Sequence, residues 1–369
     1  MSGHTISKPK QVFLSLNGLR FILAIWIAYF HVGHMFDDAG MGTLPFLRLG
    51  IARVDVFFCL SGFVLSHVYW AQRTKPFNFA DFMVARLARI YPMYLLALGI
   101  IIAYLAGGAL LGKAPSTSYP FSDLVMNLLF LQASGLTETN SWNFPAWAVA
   151  AEMGGYIAFP IFIYLAQLTR KLPYLLLAIA IGLVLLLEIF LQFVSPLPMN
   201  ELTTDWGILR GASVMFCGVA ARSVFNIFKP NTLMAIITAI AGISLVFTSA
   251  MQQWGVPLVG LGAAFLMIGL ARLDELKCPT GLSSQPMQEL GNWSYVIFIL
   301  HAPIYTILAQ IWSLAGYEFV ATPLTSLVFM SVVILVSGPI YHLVEKPSRK
   351  FIRKQWEMRR GHTISNAGL

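Results

Sequence analysis

Long apolar segments, joined by short polar stretches, run through nearly the whole sequence. A helix needs about 20 apolar residues to cross a hydrocarbon core of about 30 Å. The apolar runs are continuous and do not alternate with polar residues, so they favour helices over the strands of a barrel. The pattern predicts an all-α polytopic membrane protein with about ten transmembrane helices. The ten segments are Leu16–Phe36, Val54–Ala71, Phe82–Ala106, Trp147–Leu168, Pro173–Val194, Trp206–Phe225, Leu233–Met251, Val256–Ala271, Trp293–Ser313 and Leu324–Val344.

One further apolar segment, Phe121–Gln132, is short for a crossing. If it does not cross and the N-terminus is inside, most Lys and Arg residues between the segments lie in the cytoplasm. If it did cross, the pair Arg170 and Lys171 and the cluster Lys346–Arg360 would move outside. The positive-inside rule therefore favours ten crossings, with a re-entrant or interfacial segment near 121–132. The remaining outer cations are exceptions to the rule: Arg48, Arg53, Lys113 and Arg210.

The same charge pattern predicts that both termini are cytoplasmic. It divides the chain into an N-terminal tail over 1–15, a transmembrane domain over 16–345 and a basic C-terminal tail over 346–369. We expect Glu345-Lys346-Pro347 to end the last helix, because the residue before a proline disfavours helical geometry.

The composition supports a membrane protein. Of 369 residues, 57% are hydrophobic and 11% are charged, whereas soluble domains carry about 25% charged residues. The formal net charge is +8, but the cations lie at helix ends and in the tail, so no nucleic-acid partner is predicted. The three cysteines form no CxxC pair or similar spacing, so neither a disulfide framework nor a metal site is predicted.

The first apolar segment carries a cation and an imidazole on one face. Arg20 and His31 are eleven residues apart, which is three helical turns plus roughly 20° and a rise of about 16 Å. If Arg20 lies at a membrane boundary, His31 lies near the middle of the bilayer, where a titratable group is a functional-site candidate. The alternative is that the arginine extends to the interface and the histidine bonds to a neighbouring helix.

Two acidic residues are candidates to assist such an imidazole. Asp55 opens the second segment, where it is an N-cap, a partner of Arg53, or the acid that orients a histidine. Glu152 lies about a turn and a half inside the fourth segment, so it needs a partner or a proton. Ser61-Gly62 favours close helix packing over a nucleophile.

Arg86 and Arg89 share one face at the start of the third segment, and Tyr91 follows them. They are either cytoplasmic anchors or a grip for the phosphates of a cytosolic donor, which guanidinium groups suit well.

Four residues are candidates for substrate contacts. Trp147, preceded by Asn143, belongs either to the interfacial aromatic belt or to a surface that stacks on sugars. Tyr295 and His301 lie in the ninth segment, and a structural and a functional role for His301 remain equally open.

Taken together, these motifs resemble the acyltransferase-3 family of integral membrane O-acyltransferases. The matching pieces appear in order from about Leu16 to Lys350. The sequence has Asn17 where the family often has Asp, and Ala146 where it often has Ser. The pieces are LNGLR followed by His31, VDVFFCLSGF, RLARIYP, PAWAVAAE, LGNWSYVIFILH and EKPSRK.

The resemblance implies transfer of an acyl group, usually acetyl from acetyl-CoA, to a carbohydrate hydroxyl outside a bacterial cytoplasmic (inner) membrane. It implies that Arg20 and His31 are essential and that Arg86 and Arg89 face the acyl-CoA. Exopolysaccharide, lipopolysaccharide O-antigen, peptidoglycan and small glycosides all remain open as acceptors, and polysaccharide synthesis machinery is a candidate partner.

On this basis we expect a neutral His31 to act as a general base for the sugar hydroxyl, with an acyl-imidazole intermediate as a variant. Asp55 or Glu152 would stabilise the imidazolium, and Arg20 would position the donor or the developing oxyanion. The competing interpretations are a proton-coupled transporter or flippase of an acyl donor or lipid-linked sugar, and a non-catalytic partner of a polysaccharide synthase. No inverted repeat of the transporter kind stands out.

Overall fold

The computed structural model describes residues 12–35, 50–70, 77–112, 115, 118–137, 139–317 and 322–360. Within these residues, ten helices are long and apolar enough to cross a membrane, which confirms the predicted all-α polytopic fold. The predicted ends at Phe36 and Ala71 lie outside the described residues. The α-helices are α1 (Leu14–Met35), α2 (Gly50–Trp70), α3 (Phe79–Leu110), α4 (Phe121–Leu128), α5 (Trp147–Leu168), α6 (Pro173–Val194), α7 (Gly207–Phe225), α8 (Thr232–Gln252), α9 (Val256–Glu275), α10 (Gln285–Leu314), α11 (Pro323–Ile340) and α12 (Lys346–Arg359).

The short helix α4 shows whether the segment 121–132 crosses the membrane. Its eight residues span only about 12 Å, far less than a hydrocarbon core. It packs against the side of α3, where Tyr91 donates a hydrogen bond to the carbonyl of Leu128 at 2.9 Å and Tyr94 donates to the amide oxygen of Asn127 at 3.1 Å. The segment therefore does not cross, as predicted.

The loop that follows α4 reaches the middle of the helix bundle. The Asn143 side chain donates a hydrogen bond to the carbonyl of Ile299 at 2.9 Å, and Ile299 lies midway along the 30-residue α10. Four residues later stands Pro303, which has no N–H to give to that carbonyl. Because a carbonyl freed inside a membrane helix needs another donor, the proline explains why the loop is attached here.

Glycines bring the central helices into close contact. A Cβ added to Gly62 in α2 would lie 1.9 Å from the Met215 carbonyl oxygen, and one on Gly218 in α7 would lie 1.9 Å from that of Cys59. Close packing at Ser61-Gly62 is thus confirmed, since only small residues allow such an approach. In the same way Gly291 brings α10 against the backbone of α1, which sets those two helices side by side.

The end of the last helix differs from the expectation. Glu345-Lys346-Pro347 does not end the helix, because a π-helical turn over Tyr341–Glu345 leads directly into α12. The proline is tolerated there because it occupies the first turn of α12. Trp356 and Arg360 both bind the carboxylate of Asp81, so α12 folds back against the start of α3.

Candidate active site

Two histidines from neighbouring helices meet where α1 packs on α10. His31 Nδ1 lies 2.8 Å from His301 Nε2, which is hydrogen-bonding distance. The two rings are nearly parallel, at an interplanar angle of 4° and a centroid separation of 5.0 Å. His301 is fully buried, whereas His31 is partly exposed. The two sequence candidates therefore form one unit, although they stand 270 residues apart.

One cavity beside this pair, which we call the arginine cavity, is lined by Arg20, Arg86 and Arg89. The single carboxylate among its described lining residues is Glu152. Three guanidinium groups facing one carboxylate leave an excess of positive charge. The Arg86 Nε is buried and lacks a hydrogen-bond partner within the described structure. An unpaired buried donor is costly, so the cavity is suited to an anionic ligand.

Glu152 sits within a set of hydroxyl groups in the arginine cavity. Its Oε1 accepts hydrogen bonds from the Ser61 hydroxyl and, at 2.6 Å, from the Tyr156 hydroxyl. All three side chains line the cavity. The partners that we expected for this glutamate are therefore the hydroxyl groups of Ser61 and Tyr156. Tyr295 also lines the cavity and donates to the carbonyl of Ile90 at 2.9 Å.

A second cavity, which we call the loop cavity, lies between α3, α10 and the loop before α5. Its polar and aromatic lining includes Tyr104, Tyr119, Trp142, Asn143 and Gln310. The Asn143 side chain is buried, and its Oδ1 has no hydrogen-bond partner within the described structure. Because Nδ2 is fixed on α10, Oδ1 is held in one orientation as an acceptor for a ligand hydroxyl or amide.

The histidine pair lies between the two cavities. Phe144, which lines the loop cavity, meets the His31 ring edge-on at a centroid distance of 4.9 Å. On the other side, Phe298 lines the arginine cavity and lies 6.1 Å from the His301 ring. Ile27, one turn before His31 on α1, lines the arginine cavity as well. Each cavity therefore reaches to within one side chain of the pair.

Asp55 is part of a different unit. Its two carboxylate oxygens accept hydrogen bonds from Nε and Nη2 of Arg210, both at 2.9 Å, and both side chains are buried. Arg210 also donates to the carbonyl of Leu202. The predicted N-cap role is wrong, because α2 begins at Gly50. This bidentate pair joins α2 to α7, which is a structural role.

Two aromatic candidates for ligand binding, Trp147 and Tyr91, line neither the arginine cavity nor the loop cavity. Trp147 is buried against Phe58 and lies beneath the Arg210 guanidinium, 5.4 Å from its carbon, so it does not line the loop cavity. Tyr91 does not line the arginine cavity, and its hydroxyl donates a hydrogen bond to the carbonyl of Leu128.

This chain is similar to one protein family and to several known proteins. The Acyl_transf_3 family model, described as an acyltransferase domain, matches residues 13–342. Acyltransferase MdmB from Streptomyces mycarofaciens is 27% identical, and the match covers 94% of each chain. Exopolysaccharide production protein ExoZ from Rhizobium meliloti is 26% identical over 85% of this chain and 94% of its own. Peptidoglycan O-acetyltransferase OatA from Listeria monocytogenes is 23% identical over 79% of this chain and 49% of its own. No solved structure matches.

Proposed function

Since this chain belongs to the Acyl_transf_3 family of acyltransferases, we propose that it moves an acyl group from cytosolic acyl-CoA to a carbohydrate hydroxyl outside a bacterial cytoplasmic membrane. The observation that carries this proposal is the position of His31 and His301 between two cavities of different chemistry. A transferase of this kind needs two substrates that approach one base from opposite sides.

The donor occupies the arginine cavity. Arg20, Arg86 and Arg89 bind the phosphates of the acyl-CoA, because guanidinium groups form charge-assisted hydrogen bonds to phosphate oxygens. Arg20 lies about 16 Å before His31 along α1, so it holds the phosphate end and not the developing oxyanion. Glu152 lies along the path of the pantetheine arm of the acyl-CoA, where its carboxylate accepts hydrogen bonds from the amide N–H groups of that arm. The positive-inside rule supports a cytosolic opening for this cavity.

The acceptor occupies the loop cavity. Trp142 and Tyr119 lie edge-to-face at 5.6 Å and provide apolar faces for a sugar ring. Asn143 Oδ1 accepts a hydrogen bond from a sugar hydroxyl. The names of two relatives, an exopolysaccharide production protein and a peptidoglycan O-acetyltransferase, support a carbohydrate acceptor and an acetyl donor.

His31 acts as the general base. Its neutral imidazole takes the proton of the acceptor hydroxyl while the hydroxyl oxygen bonds to the acyl carbon. The carbon–sulfur bond of the thioester then breaks, and the leaving thiolate takes the proton from the imidazolium. The products are an ester on the sugar and free CoA, and the enzyme returns to its starting state.

The test is transfer of labelled acetyl from acetyl-CoA to candidate glycans by the purified protein in nanodiscs. His31→Ala should abolish transfer while the protein still folds. The matched control is His342→Ala, because His342 is a half-exposed histidine that bonds Glu289 away from both cavities. Near-normal transfer by the His31 variant would refute the assignment. Movement of label across a vesicle membrane without covalent transfer would favour a transporter instead.

A further inference from the structure

We infer that His301 is a positioning residue that fixes both the ring orientation and the tautomer of His31. The inference rests on the proposed function, because it assigns a partner to the proposed base. It starts from the buried hydrogen bond between the two imidazoles, which is 2.8 Å long.

The surroundings of His301 determine which of its nitrogens carries the proton. His301 Nδ1 lies 3.2 Å from the carbonyl oxygen of Ile297, one turn earlier on α10. A carbonyl oxygen only accepts hydrogen bonds, so Nδ1 donates and carries the hydrogen. A neutral His301 then has its lone pair on Nε2. The His301 ring also lies beside two aromatic rings, with centroid distances of 6.1 Å to Phe298 and 5.7 Å to Tyr305.

The tautomer of His31 follows from that of His301. Since His301 Nε2 accepts, His31 Nδ1 must donate, and the lone pair of a neutral His31 is placed on Nε2. The second nitrogen of a catalytic imidazole sets which nitrogen is basic in this way. Without His301, His31 would lose the acceptor that favours this tautomer and this ring orientation.

An imidazole suits this position better than the carboxylate of a serine-protease triad. His301 is fully buried, with the rings of Phe298 and Tyr305 beside it. A permanent negative charge there would be expensive to keep. A neutral imidazole supplies the same acceptor without that charge. Once His31 is protonated, its bond to His301 becomes charge-assisted and stronger.

The experiment compares His301→Ala with His301→Gln in the purified full-length protein. We expect the alanine variant to lower kcat about 10- to 100-fold, by analogy with the loss when the hydrogen-bond partner of a metal-binding histidine is removed, with the KM of both substrates changed less than about twofold. The glutamine amide oxygen replaces the Nε2 acceptor, so this variant should recover most of the loss.

A second measurement is independent of activity. The ¹⁵N spectrum of labelled histidine distinguishes the two neutral tautomers of His31, and a His31→Ala spectrum assigns its signals. We expect one tautomer in the wild type, a mixture in His301→Ala and one tautomer in His301→Gln.

Three outcomes would overturn the inference. The first is wild-type kcat in His301→Ala while His31→Ala is inactive, which would leave the proposed function intact. The second is an equal loss in the alanine and glutamine variants that follows the melting temperature. The third is an unchanged His31 tautomer in His301→Ala. If the wild type transfers no acyl group, the proposed function fails, and the spectrum still decides the role of His301.

Discussion

The two cavities beside the histidine pair differ in almost every physical respect. The arginine cavity is lined by Arg20, Arg86, Arg89 and Glu152, whereas the loop cavity has no charged side chain among its described lining residues. The first is suited to a ligand with phosphates and the second to a neutral ligand with many hydroxyls. Under the proposed function, charge would select the donor, whereas hydrogen bonding and ring stacking would select the acceptor.

The cavities also differ in how they are built. The arginine cavity is formed by side chains of α1, α2, α3, α5 and α10, all of them long helices. The loop cavity takes much of its wall from residues 115–144, a connection with one short helix. Loops vary more readily than packed helices. A family with a shared donor and varied acceptors would be expected to place its constant and variable parts in this way.

The largest expected effect lies outside both cavities and shows what a structural residue does. Asp55→Asn leaves the buried Arg210 without its countercharge, and removal of one partner of a buried pair costs about 3–5 kcal/mol. We expect a large drop in the melting temperature of the purified protein, with unchanged KM values in the folded fraction. Lys229→Ala, which opens the more exposed pair with Glu275, should cost at most about 1 kcal/mol. A selective change in the KM of one substrate would instead indicate that Asp55 takes part in the reaction.

The next effect tests the charge of the arginine cavity. Replacement of Arg86 and Arg89 by alanine removes at least two charge-assisted hydrogen bonds and should raise the KM for acetyl-CoA about 100-fold or more. The acceptor KM should not change. The double lysine variant keeps the charge but lacks the planar guanidinium group. Its KM for acetyl-CoA should therefore lie between those of the wild type and the double alanine variant. Arg170→Ala, at an exposed position after α5, is the control. An equal loss for donor and acceptor would contradict the division between the cavities.

A smaller effect tests how the loop cavity is held. Pro303→Ala gives position 303 an N–H that competes with Asn143 for the carbonyl of Ile299. One weakened hydrogen bond corresponds to about a tenfold loss in kcat/KM for the acceptor, with donor KM unchanged. Pro160→Ala removes a helix-interior proline from α5, away from this loop, and serves as the control. Unaltered acceptor kinetics would show that the loop is held by other contacts.

The smallest effect distinguishes two tryptophans. Trp142→Ala removes an aromatic face from the loop cavity and should raise the acceptor KM about fivefold. Trp254→Ala, at an exposed position after α8, should leave it unchanged. Steady-state kinetics with varied acceptor provide the measurement. If Trp142 can be removed without effect, ring stacking is not part of acceptor binding.

The fold was largely predictable, because membrane-spanning helices are recognisable in a sequence by their length and hydrophobicity. The positive-inside rule also distinguished the segment of α4, which does not cross the membrane, from the segments that do. Arg210 was a missed signal: the charge pattern placed it among the outer cations, whereas a cation inside an apolar segment requires a buried anion. Asp55 was the available one.

The site was predictable only in its parts. His31 and His301 were both candidates, but their contact depends on the close packing of α1 on α10 at Gly291, which no local pattern reveals. Trp142 and Tyr119 were not singled out as individual residues, because a loop has no periodicity to show which side chains share a surface. Trp147 drew attention because it stood at the start of an apolar segment, yet the neighbouring helices bury it.

The hydrogen-bonded rings of His31 and His301 form a very thin partition for a membrane protein. If the donor stays on one side and the acceptor on the other, only the acyl group changes compartment in each turnover. The spent carrier remains where it can be recharged, and no water-filled channel has to open. A cell could therefore decorate its surface continuously without discharging the ion gradient across the same membrane.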